Sequence, residues 1–135
     1  MRSILIALAT LLLPLSAQAQ DPEVDCEDAQ TQMEMTYCAE QDFAEADELL
    51  NAQYKQSRQA TKAADEDAMP DLQGADAALV TAQRAWVAFR DAHCASYGYQ
   101  ARGGSMEPML IYACQANLTR QRTEQLKELT DLTDN

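Results

Sequence analysis

The sequence predicts an all-α fold: a small, disulfide-stapled antiparallel three-helix bundle with a short N-terminal lead-in. Three observations lead there. Beyond the first twenty residues Gly and Pro are scarce, Ala, Gln, Glu and Leu abound, and no stretch alternates apolar and polar residues as a half-buried strand does. Apolar residues instead recur every three or four positions in three segments, parted by breaks at Pro70/Gly74 and Gly98/Gly103/Gly104. Four cysteines, an even number, accompany an export signal, and a core this small is marginal without staples.

The export signal comes first. A basic start at Arg2, an apolar run from Ile4 to Leu15 and the small-x-small triplet Ala17-Gln18-Ala19 read as a secretory signal peptide over residues 1–19, too short for a good membrane span. Cleavage after Ala19 leaves one domain, residues 20–135, expected to be periplasmic or secreted and free of the membrane. No cysteine follows the cleavage site directly, so no lipid anchor is expected.

A polar lead-in from Asp21 to Gln30 holds Cys26. The first helix then carries an apolar stripe of Met35, Cys38/Ala39, Phe43, Ala46, Leu50 and Tyr54, and should fade near Ala64. Thr31 and Glu34 have the spacing of a capping box at its start. Asp65 to Asp76 forms an acidic connector. Met69 and Pro70 stand where a calcium loop needs ligands and a turn glycine, so it reads as solvated loop. The second helix is expected from Asp76, acting as its cap, to Ser96, with Leu79, Ala82, Trp86, Phe89 and His93 on its stripe. A loop from Tyr97 to Ser105 follows. The third helix starts near Met106, with Pro108 in its first turn and a stripe of Leu110, Ala113/Cys114, Asn117/Leu118, Gln121, Gln125/Leu126, Leu129 and Leu132.

Four cysteines allow three pairings. Cys94 and Cys114 are equidistant from Gly104, so a hairpin turning there brings them level, and Cys26–Cys38 then pins the lead-in to the first helix. No C-x-x-C pair suggests zinc or redox chemistry, and no metal or cofactor is expected.

The whole chain has a formal charge of −12, and removal of residues 1–19 leaves nine Lys and Arg against 22 acids, about −13. Such a field repels nucleic acid and anionic membranes and draws in cationic partners. Solubility alone also accounts for it. His93 lies on an apolar stripe without a nucleophile or an orienting acid beside it, and no acid pair stands out as a dyad, so no enzyme is expected. An inter-helix pair of Arg90 with Asp47, beside Asn51, is expected as framework. The sequon Asn117-Leu118-Thr119 falls inside a helix and is set aside. Tyr97, Tyr99, Arg102, Gly103, Gly104 and Ser105 form the most binding-like stretch, because Tyr and Arg are frequent interface anchors and Gly permits close backbone approach. The alternative is an ordinary inter-helix loop with its tyrosines tucked over the bundle end.

Four pieces of sequence together resemble the LprI-like lysozyme-inhibitor family: CEDAQTQMEMTYCA from Cys26, ADELLNAQY from Ala46, QRAWVAFRDAHC from Gln83, and GGS followed by YACQANLTRQR. They span nearly the whole mature chain. Thr36 stands where the family usually has Asn. The resemblance implies an exported helical domain that inhibits lysozyme, and it maps no inhibitory residue. The expected function is therefore an acidic binding protein that occludes the cleft of a cationic partner such as lysozyme. The contrasting expectation is a non-enzymatic envelope module that binds another protein or itself.

Overall fold

The computed structural model describes residues 24–133; the expected leader and its cleavage site lie outside them. Three helices follow in order: α1, Gln32–Asp67; α2, Ala75–Gly98; and α3, Glu107–Thr133, with a single 3-10 turn, Tyr99–Ala101, between the last two. Consecutive helices are antiparallel, which makes α1 and α3 parallel, and these two share the most extensive interface. Among the described residues there is no strand. No helix among them is long and apolar enough to cross a membrane.

The start of α1 is dictated locally. The Thr31 hydroxyl accepts from the Glu34 amide at 3.2 Å, while the Glu34 carboxylate accepts from the amides of Thr31 and Gln30 at 2.8 and 2.9 Å. Those amides hold the Glu34 carboxyl below its ordinary value. At the other end α1 runs to Asp67, a turn past the expected fade. Asp65 supplies the reason. One of its oxygens accepts from the amides of Gly74 and Ala75 at 2.8 and 2.9 Å, and the other from Asp76 at 3.0 Å. The last turn of α1 thus caps the first turn of α2, which starts after Gly74 at φ +135°.

This corrects the expectation that Asp76 caps α2. Its carboxylate faces α1 instead, in a two-point fork with Arg58 at 2.7 and 2.5 Å, joined by the Thr61 hydroxyl at 3.4 Å.

The core is small: Leu50, Leu79 and Leu126, with Tyr54 and Trp86 against them. Two stripes differ in part from expectation. On α2 the buried line is Leu79, Gln83, Arg90, Cys94 and Gly98, whereas Phe89 is 56% exposed and stacks on His93. On α3 Leu126 is buried as expected, together with Ala116 and Thr119, whereas Leu129 and Leu132 of the expected stripe are exposed. Polar residues fill part of the seam: Gln83 and Arg90 on α2, Ser57 and Thr61 on α1, and Thr119 on α3. Thr123 and Thr130 return hydrogen bonds to carbonyls four residues back. Ser57, fully buried, bonds across to the Leu126 carbonyl at 3.0 Å and meets the Thr130 hydroxyl at 2.8 Å.

Disulfides join Cys26 to Cys38 and Cys94 to Cys114, each with Cα atoms 5.5 Å apart. Beside the second, Gly98 lets α2 and α3 approach closely: a Cβ there would lie 2.6 Å from Cγ1 of Ile111.

Candidate partner-binding tip and its framework

The expected loop is shorter and more ordered than a loop. Helix α2 continues through Tyr97 and Gly98, and the 3-10 turn takes up Tyr99 to Ala101. Chain reversal is left to Arg102–Met106. Hydrogen bonds from the Arg102 amide to the Tyr99 carbonyl (3.2 Å) and from Gly104 to Ala101 (2.8 Å) close it. Gly103 sits at φ +77°, a conformation that L side chains rarely adopt.

Glu107, the first residue of α3, organises the turn. One carboxylate oxygen accepts from Arg102 Nη1 at 2.8 Å and the other from the Gly103 amide at 2.8 Å. The Gly103 amide, then Arg102, hold this carboxyl below its ordinary value, and the same pairing raises Arg102. The Arg102 guanidinium also lies over the Tyr99 ring, 4.6 Å from its centre. Tyr99, Arg102 and Gly103 are therefore one exposed unit tied down by Glu107. Sequence reading passed over Glu107. The signal for it was an acid in the first turn of a helix, where the dipole favours negative charge, four residues beyond a glycine.

The other expected tip residues part company. Tyr97 turns to the outer groove between α2 and α3, which it lines with His93, Leu110, Cys114 and Leu118. Gly104 continues the reversal, and Ser105 lies on the side facing α1. The turn is a short arginine-bearing knob in which Tyr99 lies beneath Arg102, with Tyr97 set apart on the outer groove.

Arg90 joins all three helices below the tip. Its Nη1 donates to Asp47 Oδ1 on α1 at 3.0 Å and reaches the Thr119 hydroxyl on α3 at 3.4 Å. Its Nε donates to Asp91 at 2.9 Å, and Asp91 also accepts from Gln115 on α3. The guanidinium is flanked by the rings of Phe43 and Trp86, with centres 4.9 and 5.2 Å away. Asn51 donates to the other oxygen of Asp47 at 3.0 Å. Arg90 and Thr119 are buried at the centre of this network, while Asp47 and Asp91 keep an edge in solvent.

No cluster of His, Cys, Asp and Glu among the described residues has the arrangement of a metal site, and the cysteines there are all paired. The family profile described as "Lysozyme inhibitor LprI" matches residues 25–126. The chain belongs to the LprI lysozyme-inhibitor family. An uncharacterised protein of Rhizobium meliloti (strain 1021) is 46% identical over 140 aligned residues, which cover the whole of both chains. No solved structure matches. The LprI family is described as one of inhibitors. This chain's two disulfides also suit an LprI protein working outside the reducing cytoplasm.

Proposed function

We propose that this chain is an exported lysozyme inhibitor that acts by placing its Arg102 tip over the lysozyme active-site cleft. Membership of the LprI family carries the reading. Charge supports it: an acidic chain, formally −12, is steered toward a basic lysozyme, and the steering weakens as salt rises. Lysozyme cuts with two carboxyl groups across its cleft, and a guanidinium is the side chain best matched to a carboxylate. In the tip, Arg102 is held by Glu107 and Tyr99 rather than free to wander, so little ordering entropy is lost when it docks.

The test is a cell-wall lysis assay with the purified chain beginning at Gln20. Inhibition at micromolar concentration is expected. Arg102→Ala should weaken it by about tenfold or more while the protein stays folded, and Arg102→Lys should recover it only in part, because an ammonium lacks the planar fork. A lack of inhibition across lysozyme classes overturns the reading. Recovery of a different periplasmic partner by the same protein would then favour an envelope-interaction module.

A further inference from the structure

Next to the tip, the first two turns of α1 and the start of α3 leave an open cleft of about 560 Å³. Met33, Thr36, Tyr37, Glu40, Ser105 and Pro108 line it. Met33 is 79% exposed and Tyr37 44%, and Met106, between two lining residues, is also exposed. Exposed apolar side chains thus stand beside the cleft at the same end of the bundle as Arg102.

Charge sets the chemistry of an occupant. Between Val24 and Tyr54 there are nine carboxylates and not one Lys or Arg. Only Asp42 and Asp47 of these receive arginines, Arg120 and Arg90, from elsewhere in the described structure. Glu40 has no basic side chain against it there; its contact is the Tyr112 hydroxyl at 3.4 Å. Nucleic acid, an acidic peptide or a second copy of this chain meets repulsion at this face. A lysine or arginine side chain fits it: the methylenes lie against Met33, Tyr37 and Pro108, and the cationic head reaches Glu40 and the tyrosine face.

We infer that this cleft is a socket for a lysine or arginine side chain projecting from the cationic protein that the tip engages. The inference rests on the lysozyme reading. The two contacts read opposite charges, Arg102 seeking a carboxylate and Glu40 a cation, with Ser105 belonging to both surfaces. Such a bipolar epitope fixes the orientation of the partner, which a uniformly acidic surface does not.

The experiment measures the affinity of a basic animal-type lysozyme for the purified chain by surface plasmon resonance at low and physiological salt. Glu40→Gln and Tyr37→Ala should each weaken binding by about tenfold, and Glu40→Lys by more. Glu48→Gln removes an equal charge from α1 outside the cleft and should stay within about twofold. All three positions are off the core, and circular dichroism should report an unchanged fold. Equal effects of Glu40→Gln and Glu48→Gln would reduce the site to diffuse attraction and overturn the inference. Wild-type affinity in the Glu40 and Tyr37 variants would overturn it while leaving the lysozyme reading intact. No binding by the wild type would remove both. Sedimentation velocity adds a further arm: cleft variants that change self-association without changing lysozyme affinity would assign the cleft to a second copy, against the inference.

Discussion

Arg90 shows how one residue substitutes for core volume. The apolar core is little more than three leucines, and the space between Phe43 and Trp86 is filled by a guanidinium rather than by another aliphatic side chain. Burying a charge is costly unless its partners are in place, and here Asp47, Asp91 and Thr119 are supplied by all three helices. Arg90→Ala removes both the filling and the charge. Asp47 and Asp91 keep access to water, which limits the penalty, so the expected loss is about 2–3 kcal/mol in urea unfolding at neutral pH. Arg90→Met keeps the filling between the two rings and should cost about half as much. A folded Arg90→Ala protein as stable as wild type would remove Arg90 from the framework. At the tip the residue scale was only half legible. Tyr99 and Arg102 stand out by composition, but Glu107 matters through a reversal that places it beside Gly103, and its only signal in the sequence is its place in the first turn of α3.

At the scale of elements, the helix ends divide by how local their causes are. The Thr31–Glu34 box lies within four residues and can be read directly. The start of α2 cannot, because its cap comes from Asp65, nine to eleven residues back, and Asp76 is drawn off to Arg58, eighteen residues back. The stripes missed in part for a related reason. Period 3.6 located all three helices, but the expected stripes included Phe89 and Leu129 and left out Gln83, Arg90, Ser57, Thr61 and Thr119, which are buried. Polar residues make a buried seam when each finds a partner, and no buried side-chain polar atom among the described residues lacks one.

The Asp65 cap yields a pH prediction. Three backbone amides hold this carboxyl below its ordinary value, and Arg58 does the same for Asp76. A carboxyl with a depressed folded pKa binds fewer protons folded than unfolded. Its stabilisation is fully present above the unfolded value and is lost as pH falls through the folded one. Stability should therefore be level near neutrality and decline below about pH 4. Asp65→Ala should be less stable than wild type at neutral pH, with the gap narrowing in acid. Urea midpoints for both proteins at neutral and acidic pH check this; a gap independent of pH would show that the charge of Asp65 is not what holds α2.

Across the whole molecule, the disulfides sit at one end. Both bonds lie in the half that carries the tip, and the Asp65–Gly74 end is closed by hydrogen bonds and the Arg58–Asp76 fork alone. Loops of 12 and 20 residues are each worth about 3 kcal/mol in the chain-entropy model. Replacing Cys94 and Cys114 together by Ser should cost about that much and should loosen the tip more than the far end, as read by amide hydrogen exchange. Equal protection loss at both ends would mean that the bundle opens only as a unit.

The parallel run of α1 and α3 has a practical corollary for anyone attaching this protein to a surface. It sends Thr133 to the far end, whereas the lead-in is held at the tip's end of the bundle by Cys26–Cys38. A sensor chip or affinity handle joined beyond α3 leaves the knob pointing into solution. The same handle joined before Val24 crowds it.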